Sequence, residues 1–329
     1  MKWRNLAIVL LLVILSGCGD RIGKPIAQTR VTDANYSPVK IDNCGITATY
    51  KQPPKRAVAL NQPATEVLLA LGLEERTIGT AYLDDRIPPQ YQKAYEKIPV
   101  LAKQYPSREV LLTSEPDFVY GSFPGAFGSN DRREREDLSH LGIQSYLSLQ
   151  NQSLCKTKER PLENLYNEVR EIGRIFGVET RSQQLIASWQ AQIAETQRKL
   201  GKIETPKRVF WYADEDPPYT VTQSSLPNQI LELAGGRNIF QLGGEDTYIK
   251  VNWEDVITRN PEVIVISEAF WSLAQRQVQL FQTNLAFSQL KAVQQQRFII
   301  IKYRHSTSVV SIAEGIGQLA RELYPERFK

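Results

Sequence analysis

The chain repeats one short pattern, once in each half. Residues 54–60 (PKRAVAL) and 206–212 (PKRVFWY) each place a basic turn before an apolar run typical of a buried strand. A helix with apolar residues at helical spacing follows each run and ends at glycine. Residues 107–120 and 252–266 share a second pattern, in which a helix begins near a glutamate and ends at a proline before another strand. Strands that alternate with helices predict an α/β fold with a mainly parallel sheet, formed twice.

The segment between the two halves is predicted to be helical. A helix over residues 180–200 would form a rod of about 30 Å. Because a single rod has no soft hinge, we expect two lobes joined by one long rigid helix, with a ligand cleft between them that opens only slightly. This divides the chain into an N-terminal lobe of residues 43–162, a helical region of residues 163–203 and a C-terminal lobe of residues 204–329.

The composition excludes several classes of function. With 329 residues, 42% of them hydrophobic, the chain can bury extended cores. Its formal net charge of +4 includes Lys2 and Arg4, which lie in a segment we expect to be removed, and the remainder is too balanced for a nucleic-acid-binding protein. Two histidines are too few for a multi-histidine metal cage, and three cysteines are too few for a four-cysteine zinc site. We therefore expect no nucleic-acid partner and no resident metal or cofactor.

The N-terminus has the pattern of a targeting signal. Lys2 and Arg4 precede the wholly apolar residues 6–15, which would form a helix of about 15 Å, half the thickness of a bilayer core. A run of this length is typical of a signal peptide and is too short to span a membrane. It ends in residues 15–18 (LSGC), which resemble the lipobox of bacterial lipoproteins.

The lipobox resemblance implies that residues 1–17 are a signal peptide and that the Cys18 thiol carries a lipid. Residues 18–42 lack hydrophobic periodicity and are predicted to form a flexible tether. The protein would then lie outside the cytoplasm, anchored by lipid to the bacterial cell membrane, in the periplasm or on the outer face. The alternative is a soluble secreted protein with a chance cysteine at this position.

Two further cysteines, Cys44 and Cys155, remain when Cys18 is lipidated. Compartments outside the cytoplasm are oxidising, so we predict a Cys44–Cys155 disulfide that ties the start of the fold to the end of the first half. The alternative is that both are separate small buried residues.

Two stretches resemble a known family. Residues 60–86 (LNQPATEVLLALGLEERTIGTAYLDDR) and 206–240 (PKRVFWYADEDPPYTVTQSSLPNQILELAGGRNIF) are similar to the class III substrate-binding proteins of ABC importers, and the similarity extends over roughly residues 53–325. Members of this family serve iron–siderophores, haem, cobalamin and some bare metals. The resemblance implies a lipoprotein of two α/β lobes joined by one long helix, whose cleft holds the cargo.

The resemblance implies a monomeric receptor that captures an iron(III)–siderophore or a similar metal chelate and delivers it to an ABC permease dimer with its ATPase. Such a chain makes and breaks no bond and is not an enzyme. One alternative keeps the receptor role with cobalamin, haem or another cofactor-like ligand. A second alternative is an extracytoplasmic hydrolase that uses two carboxylates in an aromatic cleft.

Two glutamates are candidates for permease docking. In the family, one acidic residue on each lobe pairs with arginines of the permease, and the repeated pattern assigns this role to Glu109 and Glu254. Ion pairs of this kind set orientation and association rate. The alternative is that each glutamate stabilises the first turn of its helix through the helix dipole.

The candidate ligand-binding residues lie on loops that follow the strands, where clefts form in α/β lobes. The resemblance assigns aromatic contacts to Tyr82, Tyr105, Phe123, Tyr219 and Tyr248. The complete predicted set is Tyr82, Arg86, Lys103, Tyr105, Phe123, Tyr212, Tyr219, Tyr248, Trp271, Arg304 and His305. Aromatic rings supply flat apolar area, and the basic side chains can meet anionic groups. The alternative for any single tyrosine is the more common role of a core or surface residue.

Overall fold

The computed structural model describes residues 36–128, 131–157, 160–213 and 216–329, which belong to one compact unit. The predicted signal peptide, the lipidation site Cys18 and the tether up to residue 35 lie outside the described residues. Among the helices that the structure describes, none is long and apolar enough to cross a membrane.

The first lobe contains a five-stranded sheet. Its elements are β1 (Val39–Asn43), β2 (Ile46–Tyr50), β3 (Ala57–Ala59), α1 (Gln62–Ala70), β4 (Thr77–Ala81), α2 (Gln92–Tyr95), β5 (Val100–Ala102), α3 (Arg108–Thr113), β6 (Phe118–Gly121), α4 (Asp131–His140), β7 (Gln144–Leu147) and α5 (Gln152–Cys155). The sheet has the order β5-β4-β3-β6-β7, and all neighbouring strands are parallel. The antiparallel hairpin β1-β2 precedes it.

Two helices connect the lobes, α6 (Pro161–Ile175) and α7 (Glu179–Leu200). At the N-terminal end of α7, Arg181 donates a hydrogen bond to the carbonyl of Leu71 in the first lobe. At the C-terminal end of α7, the Leu200 side chain lies beside Gly235 of the second lobe. The 22-residue helix therefore reaches from one lobe to the other, as predicted.

The second lobe contains a four-stranded parallel sheet. Its elements are β8 (Lys207–Tyr212), β9 (Tyr219–Val221), α8 (Leu226–Leu233), β10 (Gly236–Asn238), β11 (Tyr248–Lys250), α9 (Trp253–Arg259), β12 (Val263–Glu268), α10 (Ala274–Thr283), α11 (Lys291–Gln294), β13 (Phe298–Lys302), α12 (Arg304–Thr307) and α13 (Val309–Leu323). The sheet has the order β10-β8-β12-β13, and β9 and β11 form a separate antiparallel pair. The predicted fold of two α/β lobes with mainly parallel sheets is confirmed.

One hydrophobic core runs through both lobes. It includes Val67 and Leu68 of α1 and Val309 and Ile312 of α13, and these two helices contact each other where the lobes touch. Burial of apolar area stabilises this contact by about 25 cal/mol per Å². The lobes therefore share a packed seam, and polar groups beside this seam bridge one lobe to the other.

Candidate ligand cleft

Polar side chains join the lobes beside the shared core. Gln62 of α1 accepts hydrogen bonds at Oε1 from the N–H groups of Asp84 (3.0 Å) and Asp85 (2.7 Å). Its Nε2 donates to Glu66 Oε1 at 2.8 Å. Ser308 Oγ of the second lobe donates to Glu66 Oε2 at 2.5 Å. We call these residues, together with Arg304, the inter-lobe seam.

Glu66 is a buried carboxyl at the centre of the seam. Burial raises the pKa of Glu66 to about 7, against the opposing effect of hydrogen bonds from Ser308 and Gln62 and the charge of Arg304. Ser311 Oγ also donates to Glu66 Oε2, at 3.3 Å. One oxygen of this carboxyl, Oε2, thus takes its hydrogen bonds from hydroxyl groups of the other lobe.

Arg304 forms an ion pair across the lobes. Its Nη1 lies 2.6 Å from Asp85 Oδ2, and the two side chains are 13% and 9% exposed. Arg304 was predicted to meet an anionic group of a ligand, but in the structure its charge is paired with a carboxylate of the first lobe. The two residues are 219 positions apart in the sequence.

Asp84 holds the loop that follows β12. Its carbonyl accepts a hydrogen bond from the N–H of Phe270 (2.9 Å), and its carboxylate accepts one from Trp271 Nε1 (3.3 Å). Burial raises the pKa of Asp84 to about 6. Phe270 and Trp271 remain 60% and 57% exposed. The first lobe therefore fixes an aromatic loop of the second lobe at the edge of the cleft.

A pocket of about 200 Å³ lies beside the seam and takes its walls from both lobes. The first lobe contributes Phe123 and Gln150, and the second lobe contributes the larger share. The second-lobe lining residues are Ser224, Ser225, Leu226, Pro227, Glu245, Asp246, Thr247, Tyr248, Tyr303, Ser306 and Thr307. Hydroxyl groups and aromatic rings dominate this lining.

Aromatic side chains form the walls of the pocket and continue beyond it. Tyr248 and Tyr303 are neighbours in this lining, and burial raises the pKa of Tyr248 to about 12. The Tyr303 ring packs edge-on against Trp271, with 5.4 Å between centroids. In the first lobe, Tyr82 and Tyr105 pack edge-on at 4.7 Å. Both tyrosines of the second-lobe pair stay neutral near pH 7 and can donate or accept hydrogen bonds.

The structure brings some predicted ligand residues together and leaves others apart. Phe123 and Tyr248 line the pocket. Tyr105 is close enough to Tyr303 to contribute to its electrostatic environment, and Asn61 Nδ2 donates to the Tyr105 hydroxyl at 2.9 Å. Aromatic residues of both lobes, Phe123 of the first and Tyr248 and Tyr303 of the second, therefore line one pocket.

Tyr212 and His305 do not reach the pocket. Tyr212 is 2% exposed and packs against Trp253 and Phe281 in the second-lobe core, because β8 is a central strand covered on both faces. His305 is also buried, and its Nδ1 lies 3.2 Å from Gln318 Oε1 on α13.

The remaining predicted residues lie outside the pocket lining. Arg86 and Lys103 are exposed in the first lobe. Tyr219 is half-buried, and the Lys250 ammonium lies 5.3 Å from the centre of its ring. Lys250 therefore has an aromatic partner within the β9-β11 pair.

Sequence reasoning missed several lining residues. Glu245, Asp246 and Thr247 precede β11 in a polar segment without periodicity, and Ser306 and Thr307 lie in the short helix α12. Ser306 and Thr307 follow strand β13, and this position at the end of a strand could have indicated them from the sequence. Glu66 was also missed, although a carboxylate among the apolar residues of α1 signals a buried polar contact.

The two predicted docking glutamates occupy equivalent positions in the lobes. Glu109 lies in the first turn of α3, where Ser107 Oγ accepts a hydrogen bond from the Val110 N–H at 3.2 Å. Glu254 lies in the first turn of α9, where Asn252 Oδ1 accepts from the Asp255 N–H at 2.7 Å. Both glutamates are exposed.

The predicted disulfide between Cys44 and Cys155 is present. It joins the turn between β1 and β2 to the end of α5, across a sequence separation of 111 residues. Both cysteines pack against the apolar cluster on one face of the first-lobe sheet.

Comparison with known proteins identifies the family. A profile described as "Periplasmic binding protein" matches residues 58–304. The chain belongs to this family. It is 24% identical to an ABC transporter substrate-binding lipoprotein of Bacillus subtilis, over 98% of this chain and 97% of that protein. It is 30% identical to a vitamin B12-binding protein of Photorhabdus laumondii, over 73% of this chain and 78% of that protein.

A solved structure shows the same fold. The crystal structure of an ABC-type Fe³⁺-hydroxamate transport system from Saccharomonospora viridis superposes with a TM-score of 0.69 at 21% identity, over 87% of this chain and 98% of that chain. Family membership confirms the predicted role as a substrate-binding protein of an ABC transporter. The family consists of substrate-binding transport proteins and not of enzymes.

Proposed function

We propose that this protein captures a metal chelate with an organic shell, such as an iron(III)–siderophore, and delivers it to an ABC permease. The observation that carries the proposal is the pocket between the lobes, lined by aromatic rings and hydroxyl groups. Aromatic rings pack against the flat apolar parts of an organic ligand, and hydroxyls hydrogen-bond to its carbonyl and hydroxamate oxygens.

The distribution of acidic and sulfur-containing side chains favours cargo that brings its own metal ligands. Within the described ranges, no three His, Cys, Asp or Glu side chains form a group that could hold a metal ion. A receptor for bare Zn²⁺ or Mn²⁺ needs such a group. The cobalamin alternative is favoured by the similarity to a vitamin B12-binding protein, since cobalamin is also a metal chelate with an organic shell.

Cargo entry requires a small movement of the cleft. The pocket of about 200 Å³ is smaller than the roughly 300–1,000 Å³ typical of small-molecule sites. The Asp84 contacts to Phe270 and Trp271 tie the lobes together beside Tyr303, which lines the pocket. We expect these contacts to break or shift as cargo enters, while α7 limits the separation of the lobes.

The location belongs to the same proposal. The protein would lie outside the cytoplasm, attached to the bacterial cell membrane by lipid on Cys18. The lipobox-like residues 15–18 support this, as does the similarity to a substrate-binding lipoprotein over nearly the whole chain.

We further propose that Glu109 and Glu254 dock the two lobes onto the permease dimer. Their equivalent exposed positions, one on each lobe, suit a partner with two-fold symmetry. The matched control is Glu179, which is also an exposed glutamate in the first turn of a helix, α7, but lies on neither sheet's loops.

Two measurements test the proposed function. Full-length protein in detergent is titrated with ferric siderophores, haemin, cyanocobalamin and free Zn²⁺ and Mn²⁺, and we expect saturable binding of a chelate. Binding of free metal alone, or of nothing in this series, would contradict the receptor role for chelates. In cells, Glu109→Arg/Glu254→Arg should abolish uptake with unchanged affinity, whereas Glu179→Arg should leave uptake intact. Normal uptake by the double variant would refute the docking role.

A further inference from the structure

We propose that the pocket selects neutral or positively charged chelates over anionic ones. This inference rests on the proposed receptor function, and it names the charge class of the cargo. Three features of the described residues carry it: the sign of the charged side chains at the pocket, the position of the second-lobe cations outside the pocket lining, and the neutral character of the remaining lining.

The charged side chains that line the pocket are both carboxylates. Glu245 and Asp246 are exposed, and they precede Tyr248 in the segment that leads into β11. None of the other described lining residues carries a charge. Neither carboxylate is in an ion pair with any described residue. Their negative charge is therefore available to the contents of the pocket.

The cations of the second lobe near the cleft have other partners. Arg304 is paired with Asp85 at 2.6 Å and is largely buried. Lys250 lies over the Tyr219 ring, and Lys302 Nζ lies 2.5 Å from Glu268 Oε2. None of these cations lines the pocket. Among the described residues that line the pocket, an anionic ligand would therefore meet carboxylates and no basic side chain.

The rest of the lining offers neutral hydrogen-bonding groups. Tyr248 and Tyr303 present hydroxyls, and Ser306 and Thr307 lie next to them in the wall. Such groups pair well with amide, hydroxyl and hydroxamate oxygens. Two carboxylates at the rim attract cations and repel anions most strongly at low ionic strength. Together these groups reject an anionic chelate and accept a neutral or cationic one of the same shape.

The experiment compares ligands of one shape that differ only in charge. Full-length protein in detergent is titrated with ferrioxamine B, whose free amine is cationic, and with its neutral N-acetyl and anionic N-succinyl derivatives. A second series compares neutral cyanocobalamin with its anionic monocarboxylic acid. In whichever series binds, we expect the anionic member to bind at least threefold more weakly at low salt, with a smaller difference at high salt.

A charge variant assigns the discrimination to the two carboxylates. Glu245→Gln/Asp246→Asn should reduce the charge discrimination about two- to tenfold, the effect of removing two partly exposed charges. The control Glu204→Gln/Glu326→Gln makes the same change in net charge at exposed carboxylates that do not line the pocket, and it should leave the discrimination unchanged.

The possible outcomes distinguish failure of the charge preference from failure of the proposed receptor function. Equal or tighter binding of the anionic members, or tight binding of ferric enterobactin or haemin alone, would overturn the charge preference and keep the receptor role. Discrimination that survives in Glu245→Gln/Asp246→Asn would overturn the assignment to these carboxylates. Failure of every chelate to bind would instead refute the proposed function.

Discussion

Arg304 of the second lobe donates a hydrogen bond to Asp85 of the first lobe, with 2.6 Å between Nη1 and Oδ2. Both side chains are largely withdrawn from water. Glu66 and Ser308 make a second polar contact across the same seam. The groups that hold the lobes together therefore lie beside the pocket that the lobes form, and stability and ligand binding can be tested with neighbouring substitutions.

Asp85→Asn should lower the free energy of unfolding by about 3 kcal/mol, because it leaves the Arg304 charge largely buried without a partner. Urea denaturation measures the change. The control is Glu136→Gln, which removes an exposed ion pair with Arg132 (3.0 Å) and should cost less than about 1 kcal/mol. An equal loss of unfolding free energy in the two variants would show that the Arg304–Asp85 pair contributes no more than an exposed ion pair.

Glu66→Gln should flatten the dependence of stability on pH. Burial raises the pKa of Glu66 to about 7 in the folded protein, above its value in the unfolded chain. The folded state therefore binds the proton more tightly, so this group favours folding at acidic pH, and that contribution is lost as the pH rises through about 7. Glutamine is neutral at every pH, so the substitution removes this pH-dependent contribution to the free energy of unfolding.

The measurement is urea denaturation of wild type and Glu66→Gln near pH 5 and near pH 8. The loss of stability between these conditions should be smaller in the variant, by an amount of order 2–3 kcal/mol. Glu168→Gln is the comparison, since burial also raises the pKa of Glu168 to about 7, on the connecting helix α6, where Ser148 of the first lobe donates a hydrogen bond to it. Parallel profiles for wild type and Glu66→Gln would contradict the assignment.

Removing the disulfide should destabilise the fold. The Cys44–Cys155 bond closes a long loop, with a sequence separation of 111. By restricting the unfolded chain, a disulfide that closes a loop of this length stabilises the folded protein by about 4–5 kcal/mol in the chain-entropy description. Cys44→Ser/Cys155→Ser should therefore lower the unfolding free energy by about 2–5 kcal/mol. Dithiothreitol should have the same effect on wild type and none on the variant. A stability equal to wild type would show that the bond does not contribute.

Tyr248→Ala should weaken ligand binding, whereas Tyr212→Ala should weaken the fold. Tyr248 lines the pocket and is half-buried, so truncation should reduce affinity for a bound chelate about tenfold or more. Tyr212 is in the second-lobe core, so truncation should cost about 3–5 kcal/mol of unfolding free energy. Titration and urea denaturation of both variants check the pair, and the reverse pattern would contradict the placement of these tyrosines.

Local patterns in the sequence predicted the architecture because they depend on neighbouring residues. Capping residues such as Ser107 and Asn252 mark helices α3 and α9 in both halves, and periodicity marks α7. The disulfide followed from counting, since two cysteines remained after Cys18. The expected docking positions of Glu109 and Glu254 also followed from the repeat.

The sequence by itself determined the two α/β lobes, the helix between them and the family resemblance, because these follow from spacing along the chain. Only the tertiary structure decided which side chains face the cleft. Tyr212 and Tyr248 are both aromatic residues of second-lobe strands, yet one is covered by helices and the other lines the pocket. Arg304 finds its partner, Asp85, in the other lobe. Such contacts depend on how distant segments pack, and no local pattern in the chain records that packing.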